Sequence, residues 1–121
     1  MEFFLFTAGW SAAATDLTSP WIQATFDQTM NLRRISTQGR DVYPQWVTKY
    51  KVSTSSDALN FEFICNTDLS SDCTYPGNDD ANVVVTNDLP DDVTALAVRV
   101  HVVTYDSHPS LRWGVCGTPG Q

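Results

Sequence analysis

Trp21-Ile-Gln-Ala-Thr-Phe26, then Ser36-Thr-Gln-Gly-Arg40, then Gln45-Trp-Val-Thr-Lys-Tyr50 decide how this chain is read. In the first piece Ile22, Ala24 and Phe26 alternate to one side. In the third, Trp46, Thr48, Tyr50 and then Val52 share a side, with Val47, Lys49 and Lys51 opposite. Successive side chains of a strand point to opposite faces, so both pieces read as half-buried strands. Between them Arg40, Asp41, Val42, Tyr43, Pro44 and Gln45 form a protruding loop. A short loop with a charge pair, a β-branched apolar residue and an aromatic ring, held between stiff strands, suits a recognition surface.

The same period of two recurs outward from this run, and no window sustains helical spacing. Ala95 to Val103 sets Leu96, Val98, Val100 and Val102 against Ala97, Arg99 and His101. Leu59 to Cys65 sets Phe61, Phe63 and Cys65 against Glu62 and Ile64, and Leu111, Trp113 and Val115 flank Arg112. Trp21, Trp46 and Trp113 lie inside strand patterns and are expected in the core. Ser19-Pro20, Gly39, Ser55-Ser-Asp57, Pro76-Gly-Asn-Asp-Asp80, Leu89-Pro-Asp-Asp92 and Ser107-His-Pro109 supply the turns. Short strands separated by such turns predict an all-β fold, an antiparallel sandwich or jelly-roll-like barrel.

With 121 residues, 42% of them hydrophobic, the chain is one domain able to bury a core. Fourteen acidic against seven basic residues give a net charge of −7, which opposes nucleic acid as a partner. The Asp-rich stretch from Asp68 to Asp92 reads first as a solvated face. Met1 to Phe6 resembles the start of a signal peptide, but Glu2 without Lys or Arg and a short apolar run argue against one. No run reaches the roughly 18 apolar residues of a membrane-spanning helix. Cys65 and Cys73 flank a polar stretch and are candidates for a local disulfide, which leaves Cys116 over. No Gly-x-Ser-x-Gly elbow, His-Glu-x-x-His or Gly-rich phosphate loop occurs, so the residues argue against an enzyme.

Read in order, the motifs resemble a known family. Gly9-Trp-Ser-Ala-Ala13, Trp21-Ile-Gln23, Thr37-Gln-Gly-Arg40, Gln45-Trp-Val-Thr48, Tyr50-Lys-Val52, Gly77-Asn78, Val84-Val-Thr-Asn87, Val98-Arg99, His108 to Arg112 and the closing Cys116 are similar to the discoidin domain, also called the coagulation factor V/VIII type C domain. The resemblance runs from about Gly9 to Gly117, with residues 1–8 an atypical N-terminal segment and 118–121 a tail. It implies an eight-stranded jelly-roll barrel, without catalysis, secreted or on the outside of cells. It also implies binding of glycans, anionic phospholipid headgroups or protein receptors by loops at one end. Those loops correspond to Trp10 through Asp16 and to Arg40 through Gln45. Three departures stand out: the family's N-terminal strand region, with the cysteine that pairs with the terminal one, is lacking, so a sheet edge is left open; Thr25 replaces an acidic residue, with Phe26-Asp27 for Leu-Gly; and Cys65 and Cys73 fall where the common pattern carries no cysteine.

The ligand-binding candidates are Trp10, Arg40, Asp41, Val42, Tyr43 and His108. Trp10 suits stacking on a sugar or seating in a lipid interface, the alternative being a plug at the barrel end. Arg40 offers a planar fork for carboxylate, phosphate or vicinal hydroxyls, or else anchors its own loop. Arg112 reads as a structural arginine. No cofactor is required. Calcium is possible at Asn78, Asp79 and Asp80, although the spaced oxygens and closing Glu of an EF-hand are missing. The expected partner is cell-surface or matrix carbohydrate. Phospholipid headgroups, or a structural role using a calcium-interacting acidic face, are the alternatives. Because sugar sites are weak, a homo-oligomer or a larger multidomain chain is expected.

Overall fold

The computed structural model describes residues 20–40, 43–66 and 73–120, together with the backbone of 3–6 and 10–11. The strands are β1 (Phe3–Phe6), β2 (Trp10–Ser11), β3 (Trp21–Gln38), β4 (Trp46–Ser55), β5 (Glu62–Phe63), β6 (Tyr75–Pro76), β7 (Val85–Asp106) and β8 (Ser110–Pro119). They form one antiparallel array in the order β1-β8-β3-β7-β4-β5, with β2 on β8 and β6 on β4. The all-β antiparallel expectation therefore holds. Among the described residues there is no helix, and none long and apolar enough to cross a membrane.

β3 and β7 are long because each serves two neighbourhoods. The first part of β3 pairs Trp21 with His101 and Thr25 with Ala97. After a register shift, its second part pairs Met30 with Ala95 and Thr37 with Val85, while also pairing β8. The alternating valines behave as read: Val98 and Val100 are fully buried and Val102 nearly so. With Leu32, Ile35, Tyr50, Val52, Tyr75, Leu111, Trp113 and Val115 they form one core, against which Ile22, Ala24, Phe26 and Ile64 pack. Fully burying an aliphatic or aromatic side chain contributes about 1.5–3 kcal/mol each, so this cluster is the main stabilising term.

Three expectations fail for identifiable reasons. Val47 is in the core, with Tyr50 and Val52, because the β4–β7 register shifts on both sides of Lys49. One such irregularity moves a side chain to the other face, which plain alternation cannot anticipate. In the Leu59–Cys65 stretch the alternation does not sort the faces: Ile64 packs on the core, but Glu62 and Phe63 are both exposed. Only Glu62 and Phe63 are strand there, and a two-residue strand on the edge of a sheet has few pairings to set its register. Trp21 is 45% exposed and Trp46 half-buried, whereas Trp113 is fully buried.

Cys65 and Cys73 form the expected disulfide. Cys116 is a buried free thiol with an Arg34 guanidinium nitrogen 3.6 Å from Sγ. The open sheet edge implied by the resemblance is occupied: Phe3 to Phe6 pair with Gly117 to Gly114 along β8.

Candidate functional site

The loop from Arg40 to Gln45 leaves the end of β3 and enters β4, and its ends are tied by main-chain bonds. Arg40 N–H donates to the Gln45 carbonyl at 2.8 Å, and Gln45 N–H donates to the Tyr43 carbonyl at 2.8 Å. Side chains repeat the closure. Arg40 Nη1 donates to Gln45 Oε1 at 3.0 Å, and its guanidinium lies 4.3 Å from the Tyr43 ring centroid. Such a cation–π contact adds about 0.5–1 kcal/mol at an exposed site. Tyr43 remains 50% exposed, so the stack offers an aromatic surface backed by a fixed cation. Asp41 and Val42 lie outside the described residues.

Two other segments meet this loop. Ser110 Oγ donates to the same Gln45 Oε1 at 3.0 Å, which brings the start of β8 against the loop. The turn before it carries His108, which is half-buried and whose N–H donates to the Asp106 carbonyl at 2.8 Å. Trp10 and Ser11 pair with Leu111 and Ser110, so the backbone of β2 reaches the same end of the fold. The backbone of Trp10, the Arg40–Tyr43 stack and the turn carrying His108 thus lie at one end of the fold.

Behind the loop the connections run from side chain to backbone. Arg112 donates from Nε to the Gly39 carbonyl at 2.8 Å and from Nη2 to the Ala81 carbonyl at 2.9 Å, the structural role its flanking residues suggested. A Cβ at position 39 would lie 2.7 Å from Ala81 Cα and 2.9 Å from the Gln45 carbonyl oxygen, so only glycine lets these segments meet. Asn78 is 3% exposed. Its Nδ2 donates to the carbonyls of Thr37 and Val83 at 3.0 and 2.8 Å, and its Oδ1 accepts from Thr37 Oγ1 at 2.8 Å. Asp80 Oδ1 accepts from the N–H groups of Asn82 and Val83, while Asp79 is exposed. Of the calcium candidates, then, Asn78 turns inward as a clamp. Among the described residues no group of three or more His, Cys, Asp or Glu is placed to hold a metal ion.

Sequence reasoning missed the part played by Gln45 and Ser110, whose shared bond joins segments 65 residues apart. It also missed Val83 and Val84, 56% and 51% exposed beside the Asn78 clamp. No local pattern marks either feature, since each depends on which loops the barrel brings together.

Comparison with known proteins agrees with this architecture. The profile of the F5/8 type C domain matches residues 6–115. Discoidin-2 of Dictyostelium discoideum is 33% identical over 110 residues, covering 91% of this chain and 40% of that protein. The crystal structure of recombinant discoidin II from the same organism superposes with a TM-score of 0.78 at 30% identity, covering 93% of this chain and 42% of that one. A Clostridium perfringens CBM32 domain, solved in complex with GalNAc-β-1,3-galactose, shares the fold with a TM-score of 0.70 at 18% identity, covering 88% of this chain and 73% of that one. The chain thus spans about two fifths of the discoidin relatives it matches.

Proposed function

Since this chain belongs to the F5/8 type C domain family, a family of non-catalytic binding modules, we propose that it is an extracellular recognition domain for cell-surface or matrix carbohydrate. The ligand is held by the end of the barrel where the Arg40 loop, the His108 turn and β2 converge. The observation that carries this reading is the Arg40–Tyr43 stack, pinned by Gln45 and leaving half of Tyr43 open. A sugar ring stacks on the exposed aromatic face, and guanidinium donors not used by Gln45 reach its hydroxyls. Trp10, Asp41, Val42 and His108 are the further candidate contacts. The fold is also that of the CBM32 domain solved with GalNAc-β-1,3-galactose, which makes galactose-type sugars the first to try.

A glycan array on the purified domain, run beside Arg40→Ala and Tyr43→Ala, tests this. Both variants should keep the far-ultraviolet spectrum and lose binding. Retained binding in both removes the loop from the site.

A second reading rests on Val83 and Val84, which expose apolar surface next to the clamped turn, with Tyr43 as another exposed apolar tip. Such tips suit entry into a bilayer interface beside an anionic phospholipid headgroup. Against it stands the net charge of −7, with both lysines, Lys49 and Lys51, outside these loops. Sedimentation with phosphatidylserine liposomes separates the two: lipid-dependent pelleting that free sugars leave unchanged favours the membrane reading.

A further inference from the structure

On the side of the β3–β7–β4–β5 sheet that carries Arg99 and His101, cationic and aromatic side chains gather. Trp21, His101 and Lys51 stand in one cross-strand row, and Gln23, Arg99, Ser53 and Phe63 in the next. The Arg99 guanidinium is stacked between Trp21 at 3.9 Å and Phe61 at 3.8 Å, and its Nε donates to Gln23 Oε1 at 2.9 Å. His101 Nε2 and Ser53 Oγ share a hydrogen bond of 2.7 Å, and the Phe63 ring sits 4.8 Å from the imidazole. Trp21, Phe63 and Val103 are 45%, 59% and 45% exposed, and Lys49, two residues before Lys51 on β4, is exposed as well.

This composition is that of a protein-binding surface. Exposed apolar area rimmed by polar groups marks interaction sites, and aromatic residues with Arg dominate interface energetics. Arg99, His101 and Ser53 are already held, so they lose little rotamer freedom on contact. The ring faces next to Arg99 are covered, which disfavours sugar stacking there. Charge names the partner. Lys49, Lys51 and Arg99 are three of seven basic residues in a chain of net charge −7; Glu62 is the acid on the adjoining strand. The same chain carries a complementary projection. Arg34 pairs with Asp88 and Leu32 with Val93, so residues 89–92 bulge from the ladder, and Asp88, Asp91 and Asp92 are exposed. Arg33 and Arg34 line the hollow beneath this bulge and offset part of its charge.

We propose that the Lys49–Lys51–Arg99 face of one copy docks the Asp88–Asp92 bulge of a second copy. The two patches differ, so the contact is head-to-tail and can build rings or longer arrays. A face-to-face pairing would instead oppose like charges. At about 0.1 M salt the screening length is about 10 Å, which damps repulsion between whole molecules while leaving touching pairs intact. Such an assembly supplies the several copies that weak sugar sites require, but it does not depend on the carbohydrate reading.

Sedimentation velocity on the intact chain tests it, at about 0.1 M salt and concentrations up to about 1 mM, the range of weak specific contacts. The wild type should associate, and Lys49→Glu/Lys51→Glu and Asp91→Lys/Asp92→Lys should each weaken association at least about tenfold. An equimolar mixture of the two variants should associate again, because each restores the other's missing charge partner. A wild type that stays monomeric overturns the proposal, as does association that survives in both variants or a mixture that stays dissociated. None of the four reversed residues takes part in the hydrogen bonds that hold the Arg40 loop, so single-site sugar binding should be unchanged. Loss of sugar binding with assembly intact would count against the carbohydrate reading alone.

Discussion

Replacing Asn78 tests whether the turn behind the Arg40 loop is held by a buried amide or by a metal. Asn78→Ala deletes three side-chain hydrogen bonds, to the carbonyls of Thr37 and Val83 and from Thr37 Oγ1. Intramolecular hydrogen bonds contribute about 1 kcal/mol each, and groups left buried without partners cost about 1–3 kcal/mol. Asn78 is 3% and Thr37 1% exposed, so water does not readily replace what is lost. The expected destabilisation is about 3 kcal/mol, a large fraction of a domain's usual 5–15 kcal/mol. For a chain of this size it corresponds to a fall in Tm of about 10 °C. Asn78→Asp should be worse, since a carboxylate keeps the bond from Thr37 but sets negative charge against two carbonyl oxygens in a buried site. A calcium site would respond in the opposite sense, with the added carboxylate strengthening it. Urea unfolding of the wild type and both variants, with and without calcium at saturating concentration, reads this out. Asn78→Ala within about 0.5 kcal/mol of wild type would refute the clamp, because surface-like substitutions fall in that range. So would Asn78→Asp gaining stability on addition of calcium.

Two further expectations concern pH. Burial pushes the Tyr50 hydroxyl far above the usual tyrosine range, with Asn87 donating to it only partly offsetting this and neighbouring Tyr75 adding to the rise. The folded value exceeds the unfolded one, so the stability from Tyr50 is complete below about pH 10 and is lost as pH climbs beyond it. Absorbance at the phenolate band should therefore show one tyrosine ionising together with alkaline unfolding, and its ionisation while the near-ultraviolet dichroism is still native would contradict this. His101 moves the other way: burial lowers its pKa, and the charges of Arg99 and Lys51 lower it further. Here the unfolded chain takes up a proton more readily than the folded one. Stability is then complete above about pH 6.5 and declines as pH falls towards the depressed folded value. His101→Gln should flatten that decline in urea titrations across the window, and an unchanged slope would assign it to other groups.

The parts of this fold that could be read from the chain are those where one physical pattern acts alone. From Val98 to Val102 the alternation marks a strand with one face in the core, and that is where Val98, Val100 and Val102 lie. Leu111, Trp113 and Val115 behave in the same way. The Cys65–Cys73 pair was legible because a short polar stretch between cysteines has a natural closure. Alternation fails where two requirements compete. Around Lys49 a bulge changes the face, and at Trp21 a large ring finds its partner in Arg99 on the outer surface instead of in the core. Aromatic content alone cannot distinguish a ring packed against aliphatic neighbours from one stacked on a guanidinium. The candidate loop was visible as a gap between strands, and Arg40 and Tyr43 do stack on each other there. What holds it, from Gln45 and Ser110 to Arg112 and Ala81, spans distant parts of the sequence and leaves no local trace.

That holding network bears on how such a site discriminates among ligands. Arg112, Asn78 and the Arg40 main chain all fasten loops through backbone groups, and Gly39 permits an approach that no other residue allows. Backbone anchoring fixes where a loop sits while leaving its outward side chains free to vary. The strands and clamps can then stay constant while an exposed side chain such as Tyr43 varies. It also limits what a single site can achieve. On the proposed carbohydrate reading, a surface built on one guanidinium and one ring buries little of a sugar. Affinity beyond that limit must come from repetition, since tethered copies convert the second contact into an intramolecular one. The need for copies is thus part of the proposed carbohydrate reading, and the proposed docking between copies through the cationic face would meet it.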